Sequence, residues 1–344
     1  MSEPRGEPRF TGIHTFAGAP HVPLERVAEH AAPTCAVVGV PFDTATSWRA
    51  GARFGPEAIR SASAMLRPWH PVHRVEVLGA RGGPCARGGL DAPREPGARG
   101  GPGEARVLDC GDVAIVPGNA ARSLRRIDAA LAPLCARGTP TLALGGDHTI
   151  LLGELRAQAR AGGPVALVAL DAHADTWDEY YGERLFHGTV LRRGVEEGVL
   201  DPAHSLIAGL RGSLYGESDL EEARALGFEL IAIEELRAGG AEAFGERVRE
   251  RTDGRARFLS FDIDVVDPSA APGTGTPEIG GLHTEEALAL LRALAGLRFR
   301  GFDVVELSPP YDGPGQITAL LAAGIAYELA ALAALAPASS AGAP

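Results

Sequence analysis

Apolar residues in this chain fall into short runs separated by longer amphipathic stretches. The runs CAVVGV (35–40), TLALGG (141–146), PVALVAL (164–170), HSLIAGL (204–210), FELIAI (228–233), RFLSFDI (257–263) and FDVVEL (302–307) predict strands. Helical periodicity predicts helices near 56–66, 119–137, 150–161, 217–226, 240–251 and 284–295. Strands whose apolar positions are consecutive rather than alternate are buried on both faces. Their alternation with helices predicts an α/β fold with a mostly parallel sheet covered on both sides. No internal repeat or second domain boundary shows, so one domain is expected over 33–337, after an N-terminal extension (1–32).

Two segments depart from this pattern. Residues 79–105 are Gly, Pro, Arg and Ala with almost no apolar bulk, and are expected to form a flexible surface insertion; the tail 338–344 is expected to be disordered. Residues 316–336, QITALLAAGIAYELAALAALA, are long enough for a membrane span. Alanine dominates them and Thr318, Tyr327 and Glu328 interrupt them, so a helix buried in the protein or at a subunit interface is expected, with no membrane partner.

Composition narrows the function. The chain has 344 residues, a net charge of −11 and no basic cluster mixed with aromatics, which argues against a nucleic-acid partner. The four cysteines are far apart and form no CxxC pair, so neither a disulfide framework nor a thiolate zinc site is indicated. The start lacks a signal-peptide apolar run, and the cytoplasm is the expected location.

The unusual polar residues sit where predicted strands end, the place where open parallel sheets bind ligands. GGDHT brings Asp147 and His148, DAHAD brings Asp171, His173 and Asp175, DID brings Asp262 and Asp264, and FDVVE brings Glu306. On an extended chain Asp171, His173 and Asp175 would point the same way, as would Asp262 and Asp264. Such a crowd is costly without a cation. Four carboxylates and two imidazoles without a thiolate favour Mn²⁺ over zinc, and the number of ligands suits two ions better than one. The glycine-rich PGTGTP lacks the Lys-Ser/Thr of a phosphate loop. His70 and His73, in PWHPVHR, have no evident partner spacing and are expected as exposed loop histidines.

The motifs GGDH, DAHAD and DID, in this order, resemble those of the ureohydrolases: arginase, agmatinase and their relatives. TSWRAGARFGPEAIR (46–60), LDCGDVAIVPGN (108–119), FHGTVLRR (186–193) and DVVELSPPYD (303–312) are similar to the agmatinase branch. The resemblance implies a three-layer α/β/α domain. It implies His148 and Asp175 on one manganese, His173 and Asp264 on the other, and Asp171 and Asp262 bridging the two Mn²⁺ ions. Asp147 is expected beside the ligands rather than among them. The ions would supply a strong nucleophile against an unreactive guanidinium, releasing urea and a primary amine. The resemblance further implies Asp175 as proton donor to the leaving amine and Glu306 as the carboxylate orienting the guanidinium. It implies His187 as proton shuttle or positioning group, Thr276 as a substrate neighbour, and a homotrimer or homohexamer.

Arginases carry an Asn where this chain has Trp177, and agmatinase-like members tend to have an aromatic residue there. The expected substrate is therefore small and cationic, with agmatine first and a guanidino acid such as 4-guanidinobutyrate as the alternative. Formimidoylglutamase activity or a catalytically silent relative stand further off. Asp178, Glu179 and Glu183 would favour agmatine's ammonium if they face the pocket, whereas Arg184, Arg192 or Arg193 would favour a carboxylate. TFAGAPHV (15–22), in place of the branch's commoner TFxRLP pattern, weighs against agmatine specifically.

Overall fold

A computed structural model of the chain describes residues 11–79 and 107–337. The expected 79–105 insertion (beyond Gly79), the 338–344 tail and residues 1–10 lie outside the described residues. The strands in chain order are β1 (Cys35–Gly39), a short hairpin of β2 (Trp69–His70) and β3 (Val75–Glu76), β4 (Val107–Asp112), β5 (Thr141–Leu144), β6 (Ala166–Leu170), β7 (Leu206–Leu210), β8 (Glu229–Ala232), β9 (Arg257–Asp262) and β10 (Phe299–Val305). The helices are α1 (Gly55–Ala62), α2 (Ala120–Ala136), α3 (Ile150–Gly162), α4 (Val190–Glu196), α5 (Ser218–Ala225), α6 (Ile233–Arg251), α7 (Thr284–Ala293) and α8 (Ile317–Leu335).

Eight strands form one sheet in the order β4-β1-β5-β10-β9-β6-β7-β8, and every pair is parallel. Consecutive apolar residues are used on opposite faces, as the sequence requires. In β6, Leu167 and Ala169 join a core with Leu131 of α2, Leu155 of α3 and Leu191 of α4. Val168 and Leu170 join the other core, with Ile59 of α1, Phe244 of α6, Leu291 of α7 and Leu329 of α8. Each fully buried Leu or Ile contributes roughly 1.5–3 kcal/mol of transfer free energy. The apolar α8 packs against β10, α1 and α7 inside the fold, with 72% of its apolar window buried.

The differences from the sequence expectation have local causes. Strand β4 is an eighth, edge strand that Asp109 and Asp112 disguise. Helix α4 is only seven residues long. Helix α6 begins at Ile233 rather than near 240, because Gly240, at φ 73°, interrupts its two helical halves without ending it.

The connection after β5 leads into α3 on one face, whereas its neighbour β10 leads into α8 on the other. The strand ends between them open into a crevice, the usual ligand position of such sheets.

The free side of β4 is covered by the N-terminal segment: Val22 N–H donates to Asp109 O (2.9 Å) and Asp109 N–H to Pro20 O (3.0 Å). Arg60 of α1 secures this edge. Its Nε and Nη2 donate to the two oxygens of buried Asp109 (2.8 and 2.9 Å), and Nη1 donates to Asp112 (2.6 Å). Replacing one partner of a buried pair strands the other charge, at about 3–5 kcal/mol. Arg60→Met is therefore expected to lower the urea-unfolding midpoint by a corresponding amount; an unchanged midpoint would show that this edge contributes little.

Candidate active site

Four adjacent strands, β5, β10, β9 and β6, deliver the polar residues that the sequence singles out. Gly145 and Gly146 turn the chain at the end of β5, and a Cβ on Gly146 would lie 1.9 Å from Phe42 O. The turns that follow share one device. Asp147 Oδ1 accepts from Thr149 N (3.0 Å), Asp171 Oδ1 from His173 N (2.7 Å) and Asp262 Oδ1 from Asp264 N (2.8 Å). Each carboxylate spends one oxygen on the amide two residues ahead, an Asx-type turn.

This corrects the expected cause of convergence. Strand β6 ends at Leu170, so Asp171, His173 and Asp175 are not on alternating extended positions; Asp175 turns back at φ 50°. Asp264 lies in a 3-10 turn (Ile263–Val265) that Asp262 caps.

The turns bring the side chains together in two groups. His148 Nδ1 lies 2.8 Å from Asp175 Oδ2, 3.2 Å from Asp171 Oδ2 and 3.7 Å from Asp262 Oδ2. His173 Nδ1 lies 2.9 Å from Asp264 Oδ2 and 3.7 Å from Asp171 Oδ1. His148, Asp171 and Asp262 form one set able to hold a metal ion, and Asp171, His173 and Asp264 form another. Asp171 belongs to both.

Ser260 and Asp303, which the sequence reading missed, control the His148 tautomer. Ser260 Oγ donates to Asp303 Oδ1 (2.6 Å) and so receives Nε2–H of His148 (3.0 Å), leaving Nδ1 with its lone pair towards the carboxylates. Their one sequence signal is a polar residue inside an apolar strand, in RFLSFD and FDVV. Glu154 of α3 is fully buried near Asp303, and burial together with Asp303 raises its pKa well above the ordinary value.

Glu306, at φ 63°, has backbone strain of the kind that functional sites retain. Its Oε1 accepts from His148 N (2.7 Å) and meets His187 Nδ1 (3.0 Å). His187 Nε2 faces Ser47 N (3.1 Å). That amide calls for a lone pair, so Nδ1 carries the proton in the neutral ring. Thr276 Oγ1 is 3.4 Å from Asp264 Oδ2. Asp147 Oδ2 accepts from Ala45 N (3.1 Å), a loop-holding role apart from the ligand sets.

A cavity of about 490 Å³ opens beside these groups, lined by His173, Asp175, His187, Asp262, Asp264 and Thr276 among others. Trp177 lines it too, donating from its amide to Gly188 O (3.0 Å) and stacking on Tyr180 at 5.7 Å. A Cβ on Gly188 would come within 2.7 Å of the indole, so this packing needs glycine there.

The charged residues near the Trp177 loop sit elsewhere than a substrate tail would need them. Asp178 accepts from Arg193 (2.6 Å) and Arg184 (3.3 Å), Arg192 pairs with Glu222, and none of Asp178, Glu179, Glu183, Arg184, Arg192 or Arg193 lines the cavity. Its polar lining farther out comes from Arg211, Asp219, Arg224, Glu235 and Glu278. The Arg211 guanidinium is committed to main-chain carbonyls, including Asp264 O at 2.6 Å. Asp219 accepts from Tyr215 N (3.0 Å) and Glu235 pairs with Arg247 (2.5 Å). Arg224 has no ion-pair partner among the described residues.

Electrostatics show what this arrangement needs. Burial, then Asp175 and Asp264, raise the Asp171 pKa to about 7. Burial with Asp264, Asp171 and Glu306 raises Asp262 well above its usual range. Burial alone would lower the two histidines, but Asp171 and Asp175 lift His148 well above its ordinary value, and Asp264 and Asp171 lift His173 to about 10. For Asp264, burial alone would raise the carboxyl, but His173, the Ala172 amide and Asp262 together hold it at about 2. For His187, burial alone would lower the ring, but Glu306, Asp175 and Asp147 together raise it to about 9. Asp171 Oδ2 is buried without a hydrogen bond. A hard, oxygen-rich donor set in which Asp171 belongs to both groups and keeps one carboxylate oxygen orphaned fits two divalent cations.

Without cations, Asp171 (ordinarily 3.8) and His173 (ordinarily 6.5) hold protons that the unfolded chain gives up, to about 7 and about 10. The folded state thus binds the extra protons, and its stability falls as pH rises through that window. Cations must displace those protons, adding about 1.4 kcal/mol of binding per proton per pH unit. The rise in Tm on adding Mn²⁺ is expected to be larger at pH 8 than at pH 6 by scanning fluorimetry. An equal or smaller rise at pH 8 would contradict this proton–metal competition.

Comparison with known proteins agrees with this arrangement. The Arginase family matches residues 33–86 and 79–331. The chain is 42% identical to guanidinobutyrase of Pseudomonas aeruginosa, covering 94% of this chain and 92% of that protein. It is 40% identical to the mitochondrial agmatinase of Gallus gallus, covering 86% and 79% respectively. Among solved structures, proclavaminate amidino hydrolase from Streptomyces clavuligerus superposes with a TM-score of 0.82 at 36% identity, covering 96% of this chain and all of that one. The chain belongs to the arginase family of ureohydrolases, hydrolases acting on guanidino compounds.

Proposed function

We propose that this chain is a manganese-dependent hydrolase that converts a guanidino acid into urea and the corresponding amino acid. The observation that carries the hydrolytic reading is the meeting of the two His/Asp groups with Glu306 and His187 at one crevice. His148, Asp171, His173, Asp175, Asp262 and Asp264 would hold two Mn²⁺ ions. When bound, they would lower the pKa of water and so make it a strong nucleophile at neutral pH.

The chain's own residues supply the rest. Glu306 Oε2, which accepts no hydrogen bond among the described residues, takes the guanidinium through charge-assisted contacts and orients it. His187, held by Glu306 and Ser47, moves protons at the edge of the cavity. Asp175 accepts a proton from the attacking water and passes it to the leaving nitrogen. Trp177 packs along the alkyl chain, with Thr276 beside the guanidinium.

Arg224 supports a carboxylate on the substrate, because, of the two arginines that line the cavity, its guanidinium has neither an ion pair nor, unlike Arg211, main-chain carbonyls holding it among the described residues. The identity to a guanidinobutyrase points the same way. Agmatine, the expectation from Trp177, remains the second reading. Asp219, Glu235 and Glu278 line the same cavity, which favours an ammonium. We place the enzyme in the cytoplasm as a homotrimer or homohexamer. Apolar side chains exposed around the mouth, including Tyr215 (82%) and Ile279 (84%), support subunit contacts there.

Urea release from Mn²⁺-loaded protein should be most efficient, by kcat/KM, with 4-guanidinobutyrate or 3-guanidinopropionate rather than agmatine or arginine. Arg224→Ala should raise KM for the guanidino acid about tenfold, the worth of one charge-assisted contact, and leave agmatine nearly unaffected. Preference for agmatine with a neutral Arg224→Ala would favour the second reading. No urea from any of the four would overturn the hydrolase itself.

A further inference from the structure

His70 and His73, expected as exposed and without partners, are neither. The β2–β3 hairpin turns them inward onto helix α8, where Glu328 interrupts an otherwise apolar helix. His70 is 2% exposed and Glu328 3% exposed. His70 Nε2 lies 3.0 Å from Glu328 Oε1, and His73 Nε2 lies 3.4 Å from Glu328 Oε2. The two imidazoles are 4.6 Å apart, and His70 also stacks on Tyr327.

Glu328 Oε1 is well served: Arg292 donates to it from Nε (3.0 Å) and Nη2 (2.6 Å). The other half of the cluster is not. His73 Nε2 and Glu328 Oε2 are both buried and have no hydrogen-bond partner among the described residues. Buried polar atoms in a native fold are rarely left so, and an unpaired carboxylate oxygen facing an unpaired imidazole nitrogen calls for a cation or a proton between them. Burial, with help from His70, lowers the His73 pKa, which keeps the ring neutral and its lone pair free. A bound cation satisfies both atoms at once.

We propose that His70, His73 and Glu328 form a zinc site, separate from the guanidine-processing centre, that fastens the β2–β3 hairpin to α8. One ligand atom from each residue lies within 4.8 Å of the other two. Two imidazoles and a single carboxylate are a borderline donor set that suits Zn²⁺, in contrast to the carboxylate-rich set at the strand ends. Two local bonds must yield. His70 Nδ1 now accepts from His73 N (3.2 Å), so Nε2 must pass its proton to Nδ1 and that amide bond is given up. Arg292, whose side chain is one-third exposed, must swing into solvent. The amide hydrogen bond and the Arg292–Glu328 pair are given up, but the cation re-pairs the buried carboxylate, and coordination by three protein ligands offsets the loss.

The test uses the full-length protein loaded with Mn²⁺, given an equimolar amount of zinc chloride and desalted, with metal content measured by mass spectrometry. The wild type should retain about one zinc per subunit beside its manganese, with a raised Tm. His73→Ala and, separately, His70→Asn should each cut retained zinc at least about fivefold, as loss of one of three ligands requires, while manganese content and urea release stay unchanged. The unchanged activity reports correct folding. Should either variant fail to fold, Glu328→Gln, which keeps the shape of the side chain, is read in its place. No retained zinc in the wild type, equal zinc in the variants, or zinc gained only as manganese is lost would each overturn the proposal.

Discussion

Acidic side chains crowded at the ends of four adjacent strands are the constraint on which this structure turns. Asp171, Asp175, Asp262 and Asp264 meet with two imidazoles where water is largely excluded, and Glu306 lies just behind. Lost hydration, and then their mutual repulsion, push Asp171 and Asp262 towards the protonated state. The fold tolerates this because the sheet is rigid and buried on both faces, and because each turn aspartate gives one oxygen to its own backbone. The remaining oxygens of Asp171 and Asp262 converge on His148, and bound divalent cations would relieve the repulsion.

Support for the site extends into the core. His148 presents Nδ1 because Ser260 and Asp303 take its other nitrogen, and Glu306 accepts the His148 amide while contacting His187. The candidate ligands, their orientation and the groups proposed to meet a guanidinium therefore form one connected network. A change to Ser260 or Asp303 would be felt at any metal held there without touching it.

Much of this was legible in the sequence, for a physical reason. A parallel strand buried on both faces must be apolar throughout, so polar residues at its carboxyl end stand out. GGDH, DAHAD, DID and Glu306 did so, and the structure brings them together. Legibility failed where partners are distant or signals weak. Strand alternation wrongly explained the convergence, which the Asx turns produce. Strand β4 was hidden by Asp109, whose counter-charge Arg60 lies 49 residues away. His70 and His73 looked solitary because Glu328 lies more than 250 positions further on, in an alanine-rich helix. Acidic residues near Trp177 looked like substrate contacts, yet Asp178 is turned onto Arg193, and the tail of the cavity is instead lined from α5 and the residues around it.

Both candidate ligand groups share Asp171, so its removal bears most directly on the paired-metal centre. The measurement is the manganese content of reconstituted, desalted wild-type protein and of Asp171→Ala, with circular dichroism to confirm that both are folded. Two ions held through a shared carboxylate predict about two manganese per subunit in the wild type and well under one in the variant. A folded Asp171→Ala protein that keeps both ions would contradict a centre built on a shared carboxylate.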